Sequence, residues 1–184
     1  IISNHIQSTR TCIQPNENRY NSFQKNLVEN MDIRSPAFFI GSTIPFKYTC
    51  DGENISPPLL WEAPPQGTKS FALIVDDPDA PDGTFTHWVV YNLPADTREL
   101  PEGVTKEPTL PNGGIQGKNS FDELGFGGPC PPKNGAHRYF FKIFALDQPL
   151  DLPPGVSKEQ VIEAIEGHVL DKAELMGRYA RETE

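Results

Sequence analysis

From about Asp32 onward, apolar and polar positions follow strand spacing far more than helical spacing. Phe71, Ala72, Leu73, Ile74 and Val75 form a continuous apolar run of strand length, the pattern of a central strand buried on both faces. Residues 87–93 and 138–146 carry bulky side chains on both faces and predict two more strands. Shorter strands are expected at residues 37–40 and 47–49, parted by Gly41 and Pro45. The paired prolines Pro57 and Pro58 place residues 56–61 at an edge or a strand start. Residues 94–133 read mostly as loop, dense in glycine and proline toward the end, and a run that long inside a domain usually lines a site. Ser157 caps a helix, with Gln160 completing a capping box, Val161, Ile162 and Ile165 forming its apolar side and Gly167 ending it. Beyond it, Ala173, Leu175, Gly177 and Tyr179 alternate with Lys172, Glu174, Met176 and Arg178, which predicts a final strand.

Residues 1–31 differ. They are rich in Asn, Gln, Ser and Thr and lack sustained periodicity, so they read as a flexible extension with one short helix at residues 20–28. Residues 32–184 form the domain. At 184 residues in all, the chain suits one domain burying about two-thirds of its unfolded surface. Nineteen prolines and 15 glycines are too many for a helical protein and fit short strands joined by turns. No apolar run approaches the roughly 20 residues that cross a bilayer.

A net charge of −9 argues against nucleic acid and anionic membrane surfaces as partners, since both need clustered Lys and Arg. Any bound phosphate must therefore sit in a local pocket, against the overall field. Cys12, Cys50 and Cys130 include no C-x-x-C pair, and their odd count fits a reducing compartment better than a disulfide framework. A Cys50–Cys130 bridge stays open as the alternative. With no basic-then-apolar leader visible at Ile1, a cytoplasmic location is expected.

The candidate chemistry gathers in two segments. Asp77-Pro78-Asp79-Ala80-Pro81 precedes His87, and Gly135-Ala136-His137-Arg138-Tyr139 comes much later. Histidine donates a hydrogen bond and, when protonated, adds a positive charge near neutral pH. Aspartate accepts from an imidazole N–H and favours its protonated form. His137 and Tyr139 are two apart and point the same way on a strand, with Arg138 on the other side, where Asp79 is expected to pair with it. Gly127 and Gly128 are expected to turn backbone N–H groups toward a bound oxygen, with Pro131 and Pro132 as a rigid wall and Cys130 as structural. His168 reads as structural or as a dimer contact. Two histidines and an aspartate are also metal-ligand types, but His87 and His137 share no short ligand spacing, and no G-x-S-x-G elbow frames a nucleophile. A non-catalytic binding protein is the preferred reading, with no cofactor and no metal, and a metal-dependent or hydrolytic enzyme is the alternative.

Four segments, in order, carry a family resemblance. Asp77 to Pro81 followed by Thr86-His87-Trp88-Val89-Val90-Tyr91-Asn92 resembles the first signature of the phosphatidylethanolamine-binding protein family, which includes the Raf kinase inhibitor proteins. Gly128-Pro129-Cys130-Pro131-Pro132 followed by Gly135 to Tyr139 resembles its second. Cys50 to Leu59 and Glu166 to Leu170 are similar to the bacterial and archaeal branch. The resemblance runs from about Asp32 to the C-terminus. It implies a mainly β fold, a Greek-key β-sandwich with one or two short helices. It also implies a ligand site drawn from Asp77, Pro81, His87, Gly128, Pro132, His137 and Tyr139, supported by Asp79 and Arg138. The implied function is binding of a small anion or phosphorylated headgroup, with modulation or inhibition of a kinase or protease target, in a chain that forms a homodimer.

Overall fold

The computed structural model describes residues 30–182. The expectations for the extension, the helix at 20–28 included, lie outside the described residues, apart from residues 30 and 31. Eight strands, one 3-10 turn and one α-helix follow in order: β1 (Asp32–Arg34), the 3-10 turn (Phe46–Tyr48), β2 (Leu59–Glu62), β3 (Ser70–Asp77), β4 (Phe85–Pro94), β5 (Glu99–Leu100), β6 (Ile115–Gln116), β7 (His137–Leu146), α1 (Lys158–Ile165) and β8 (Val169–Tyr179).

The strands form two antiparallel sheets, ordered β1-β2-β5 and β6-β4-β3-β7-β8. In the larger sheet β7 returns to lie beside β3 after β3, β4 and β6 have paired in sequence. That return is the crossing connection of a Greek key. The smaller sheet covers one face and α1 the other. Alternation along β3 explains its unbroken apolar run. Phe71, Leu73 and Val75 join Trp61, Trp88 and Phe141 between the sheets, while Ala72 and Ile74 join Val89, Tyr91, Val161 and Ile165 under the helix. Ser157 and Gln160 make the reciprocal capping box.

Several local expectations yield to tertiary contacts. Residues 37–40 are not a strand: the Ser42 hydroxyl bonds both the N–H and the carbonyl of Phe39, turning the chain there. Phe38 enters the core while Phe39 and Ile40 stay in solvent. Residues 47 and 48 belong to the 3-10 turn and Thr49 caps it, because the Pro45 and Phe46 carbonyls accept from Tyr48 and Thr49. Ile162 points outward, leaving Val161 and Ile165 as the helix's buried contacts. Cys50 and Cys130, expected to be unpaired, form a disulfide with their Cα atoms 5.4 Å apart. Spacing hid this pair because the two lie 80 positions apart and the chain between them runs through both sheets before returning. Closing so long a loop constrains the unfolded chain by roughly 4 kcal/mol.

Candidate functional site

Antiparallel pairing brings the end of β3, the start of β4 and the start of β7 to one end of the larger sheet. Asp77, His87 and His137 sit on those three positions. They form the floor of a cavity of about 320 Å³ whose walls include Pro81, Asp82, Phe85, Phe121, Pro131 and Pro132.

His87 reaches this floor through a β-bulge. Trp88 lies opposite Val75 and Thr86 opposite Asp76, so His87 has no partner on β3. A bulge puts two successive side chains toward one face. Trp88 packs on Phe126, and His87 packs edge-on against Tyr139 at 5.2 Å, both in the core between the sheets. Regular alternation would have sent His87 away from Trp88. The bulge therefore decides whether His87 can serve the cavity.

Each ring is oriented through its Nδ1. His87 Nδ1 lies 2.7 Å from the Gly127 carbonyl oxygen, and His137 Nδ1 lies 2.7 Å from Asp77 Oδ2. A carbonyl or carboxylate oxygen only accepts, so both Nδ1 atoms carry the hydrogen and Nε2 is the nitrogen left for a ligand. The second oxygen of Asp77 accepts from the Asp79 backbone N–H at 2.8 Å, which fixes the carboxylate. Burial pushes the His87 pKa down, more than Gly127, Asp77 and Asp76 push it up. Burial therefore disfavours the charged ring. Asp79 lies below the floor and grips Arg138 through both oxygens, at 2.8 and 2.9 Å, as the sequence implied. Hydrogen bonding to Arg138 pulls the Asp79 pKa down to about 2.

Two expected contributors are placed otherwise. Gly128 offers no free N–H, because it donates to Asn54 Oδ1 at 2.7 Å, and the Gly127 N–H donates to the His87 carbonyl at 2.9 Å. The glycines serve packing instead. A Cβ on Gly128 would lie 2.4 Å from the Tyr48 carbonyl oxygen, and one on Gly127 would lie 2.5 Å from the Phe121 ring. Tyr139 points to the same side as His137 but lies behind His87 rather than on the cavity wall. Its hydroxyl is buried with no hydrogen-bond partner among the described residues, and burial raises its pKa.

Sequence reasoning missed Phe85, Phe121 and Asp82. The two phenylalanines stack edge-on at 4.7 Å, and both pack against His87. The prolines and glycines around them gave no periodic signal. Cys130 was placed correctly as structural, and its disulfide holds the wall that Pro131 and Pro132 continue. His168 binds Asp147 at 2.9 Å, away from the cavity. Among the described residues, no three His, Cys, Asp or Glu side chains gather as a metal site, and no helix is long and apolar enough to cross a membrane.

Comparison with known proteins gives a consistent picture. Residues 34–180 match the family model for phosphatidylethanolamine-binding proteins. A UPF0098 protein of Methanothermobacter thermautotrophicus is 55% identical over 151 residues, spanning 82% of this chain and 99% of the relative. One from Aquifex aeolicus is 53% identical, over 83% of this chain and 90% of the relative. Among solved structures, a Chlamydia trachomatis protein described as a phosphatidylethanolamine-binding protein homologue superposes with a TM-score of 0.76 at 44% identity. E. coli YbcL, described as a member of the mammalian family, gives 0.78 at 35%. Each alignment covers 83% of this chain and 99% of the other.

Proposed function

This chain belongs to the phosphatidylethanolamine-binding protein family, and on that premise we propose that it binds a small oxyanion of phosphate type in the cavity above Asp77, His87 and His137. The observation that carries this reading is the 2.7 Å bond between His137 Nδ1 and Asp77. Asp77 holds the ring by Nδ1 and leaves Nε2 for the ligand, and an imidazole that carries both protons donates from there. The carboxylate assists an anion at one remove, through the imidazole it charges. An exposed mouth beside Phe121 leaves room for a larger group attached to the phosphorus. Modulation of a protein target is proposed to follow from occupancy of that mouth.

Titration calorimetry with inorganic phosphate at pH 6 and pH 8 tests the site. Affinity is expected to weaken as pH rises through the range in which imidazoles lose their charge. His137→Ala removes one charge-assisted bond, and binding at pH 6 should fall by about 1.5–3 kcal/mol. Equal affinity at both pH values, unchanged in the variant, rejects the assignment.

The Asp77–His137 pair also favours a second reading, since an aspartate-oriented histidine is half of a general-base system. Thr84 is the hydroxyl-bearing side chain on the cavity wall, and the Cys130 thiol is committed to its disulfide. Turnover of a p-nitrophenyl ester that disappears in both His137→Ala and Thr84→Ala would establish the catalytic reading.

A further inference from the structure

The cavity wall includes two histidines and two carboxylates, Asp77 and Asp82, with no lysine or arginine. Arg138 faces away and is committed to Asp79. Several backbone donors beside the cavity are already spent, and the Thr84 hydroxyl remains on its wall. Gly127 and Gly128 donate elsewhere, the Phe121 N–H is bound to Asn119 Oδ1, and Pro81, Pro131 and Pro132 have no N–H. His137, backed by Asp77, is the floor side chain of a type that can bring a positive charge. His87 is different in kind: its Nδ1–H is given to a carbonyl, and Phe85, Phe121 and Tyr139 pack around the ring. Burial among these rings disfavours a charged imidazole, which leaves a lone pair on the nitrogen turned to the ligand.

A lone pair repels a bare oxyanion and accepts a hydrogen bond from an acidic oxygen. We propose that the cavity selects an oxyanion carrying its own proton, with His87 Nε2 accepting that P–O–H and His137 Nε2–H donating to a second oxygen. The class is inorganic phosphate or the monoanion of a phosphomonoester, in preference to sulfate or a phosphodiester such as an intact phospholipid headgroup. This rests on the oxyanion reading above and adds which oxyanion. Asp76 and Asp77 are the carboxylates near the His87 ring, and both already have cationic or N–H partners. Neither is free to supply the missing proton.

The test compares four ligands on the wild-type chain: inorganic phosphate, methyl phosphate, dimethyl phosphate and sulfate. Sulfate matches phosphate in shape but carries no proton near neutral pH. Methyl phosphate loses its last proton near pH 6, whereas inorganic phosphate keeps one. At pH 5.5, phosphate and methyl phosphate should bind at least tenfold tighter than sulfate and dimethyl phosphate. At pH 8, methyl phosphate should fall into the weak group while phosphate stays ahead of sulfate. His87→Phe keeps the aromatic packing, removes the lone pair, and should bring phosphate and sulfate within about threefold. If that variant does not fold, the wild-type ratio decides alone. Equal binding of phosphate and sulfate overturns the proton selection and leaves the oxyanion site standing. If all four fail to bind at millimolar concentration, the oxyanion reading falls with it.

Discussion

Asp76 and Asp77 are neighbours on β3, both almost fully buried, and they point to opposite faces of the same sheet. On the helix face, Asp76 meets Lys158 at 3.0 Å, Lys142 at 3.4 Å and the Thr86 hydroxyl at 3.1 Å. Lys158 opens α1, where a positive charge opposes the helix dipole, so Asp76 also offsets an unfavourable end. On the cavity face, Asp77 meets an imidazole and a backbone N–H. The first carboxylate is saturated by permanent charges and acts as a clamp. The second is shared with an imidazole ring and opens onto a cavity. What separates a structural aspartate from a functional one here is the partner, since burial is the same.

The comparison can be broken from either face. The largest expected effect lies in the covalent tie beside the cavity: Cys50→Ser should lower unfolding free energy by roughly 3–4 kcal/mol, read from urea denaturation. A wild-type midpoint unmoved by reducing agent would show that the bridge contributes little. Next is Asp76→Ala, which leaves Lys142 and Lys158 without their carboxylate. Both ammoniums reach water, so a loss of about 2–3 kcal/mol is expected, at the low end for a buried pair. Phosphate affinity should stay within about twofold of wild type, and a large drop would erase the distinction between the faces.

Asp77→Asn sharpens the contrast. The amide keeps an acceptor for Asp79 N–H but withdraws the charge behind His137. Phosphate affinity at pH 6 should fall about tenfold or more, near 1.4 kcal/mol, with a smaller loss of stability than Asp76→Ala. The smallest effect concerns Asp79. Its folded pKa, about 2, lies below its ordinary value, so its contribution is fully present above that ordinary value and is lost as pH falls toward 2. Melting temperatures of wild type and Asp79→Asn should therefore differ at pH 5 and converge near pH 2. Convergence only at higher pH would deny the Arg138 pairing.

Much of the architecture was legible in residue pattern. The run at Phe71–Val75, the alternation ending at Tyr179 and the Ser157–Gln160 box each reflect a local rule, and local rules survive folding when core and solvent faces agree with them. Asp77, His87, His137, Pro81 and Pro132 line one cavity, and each lies in or beside a segment bounded by proline or glycine. The misreadings share a cause. Residues 37–40 have strand-like composition, yet the Ser42 hydroxyl captures the backbone of Phe39 first. The Gly128 N–H looked free because Asn54, which takes it, lies 74 residues away.

Chemical inventory and strand periodicity come from the order of residues, since each depends on the chain within a few positions. Four decisions depended on segments meeting in space: the bulge that turns His87 inward, the Cys50–Cys130 bridge, the spending of the glycine donors, and the ring nitrogen each histidine presents. Each is settled by a partner 10 to 80 residues distant, whose approach is fixed only when the two sheets close on their common core.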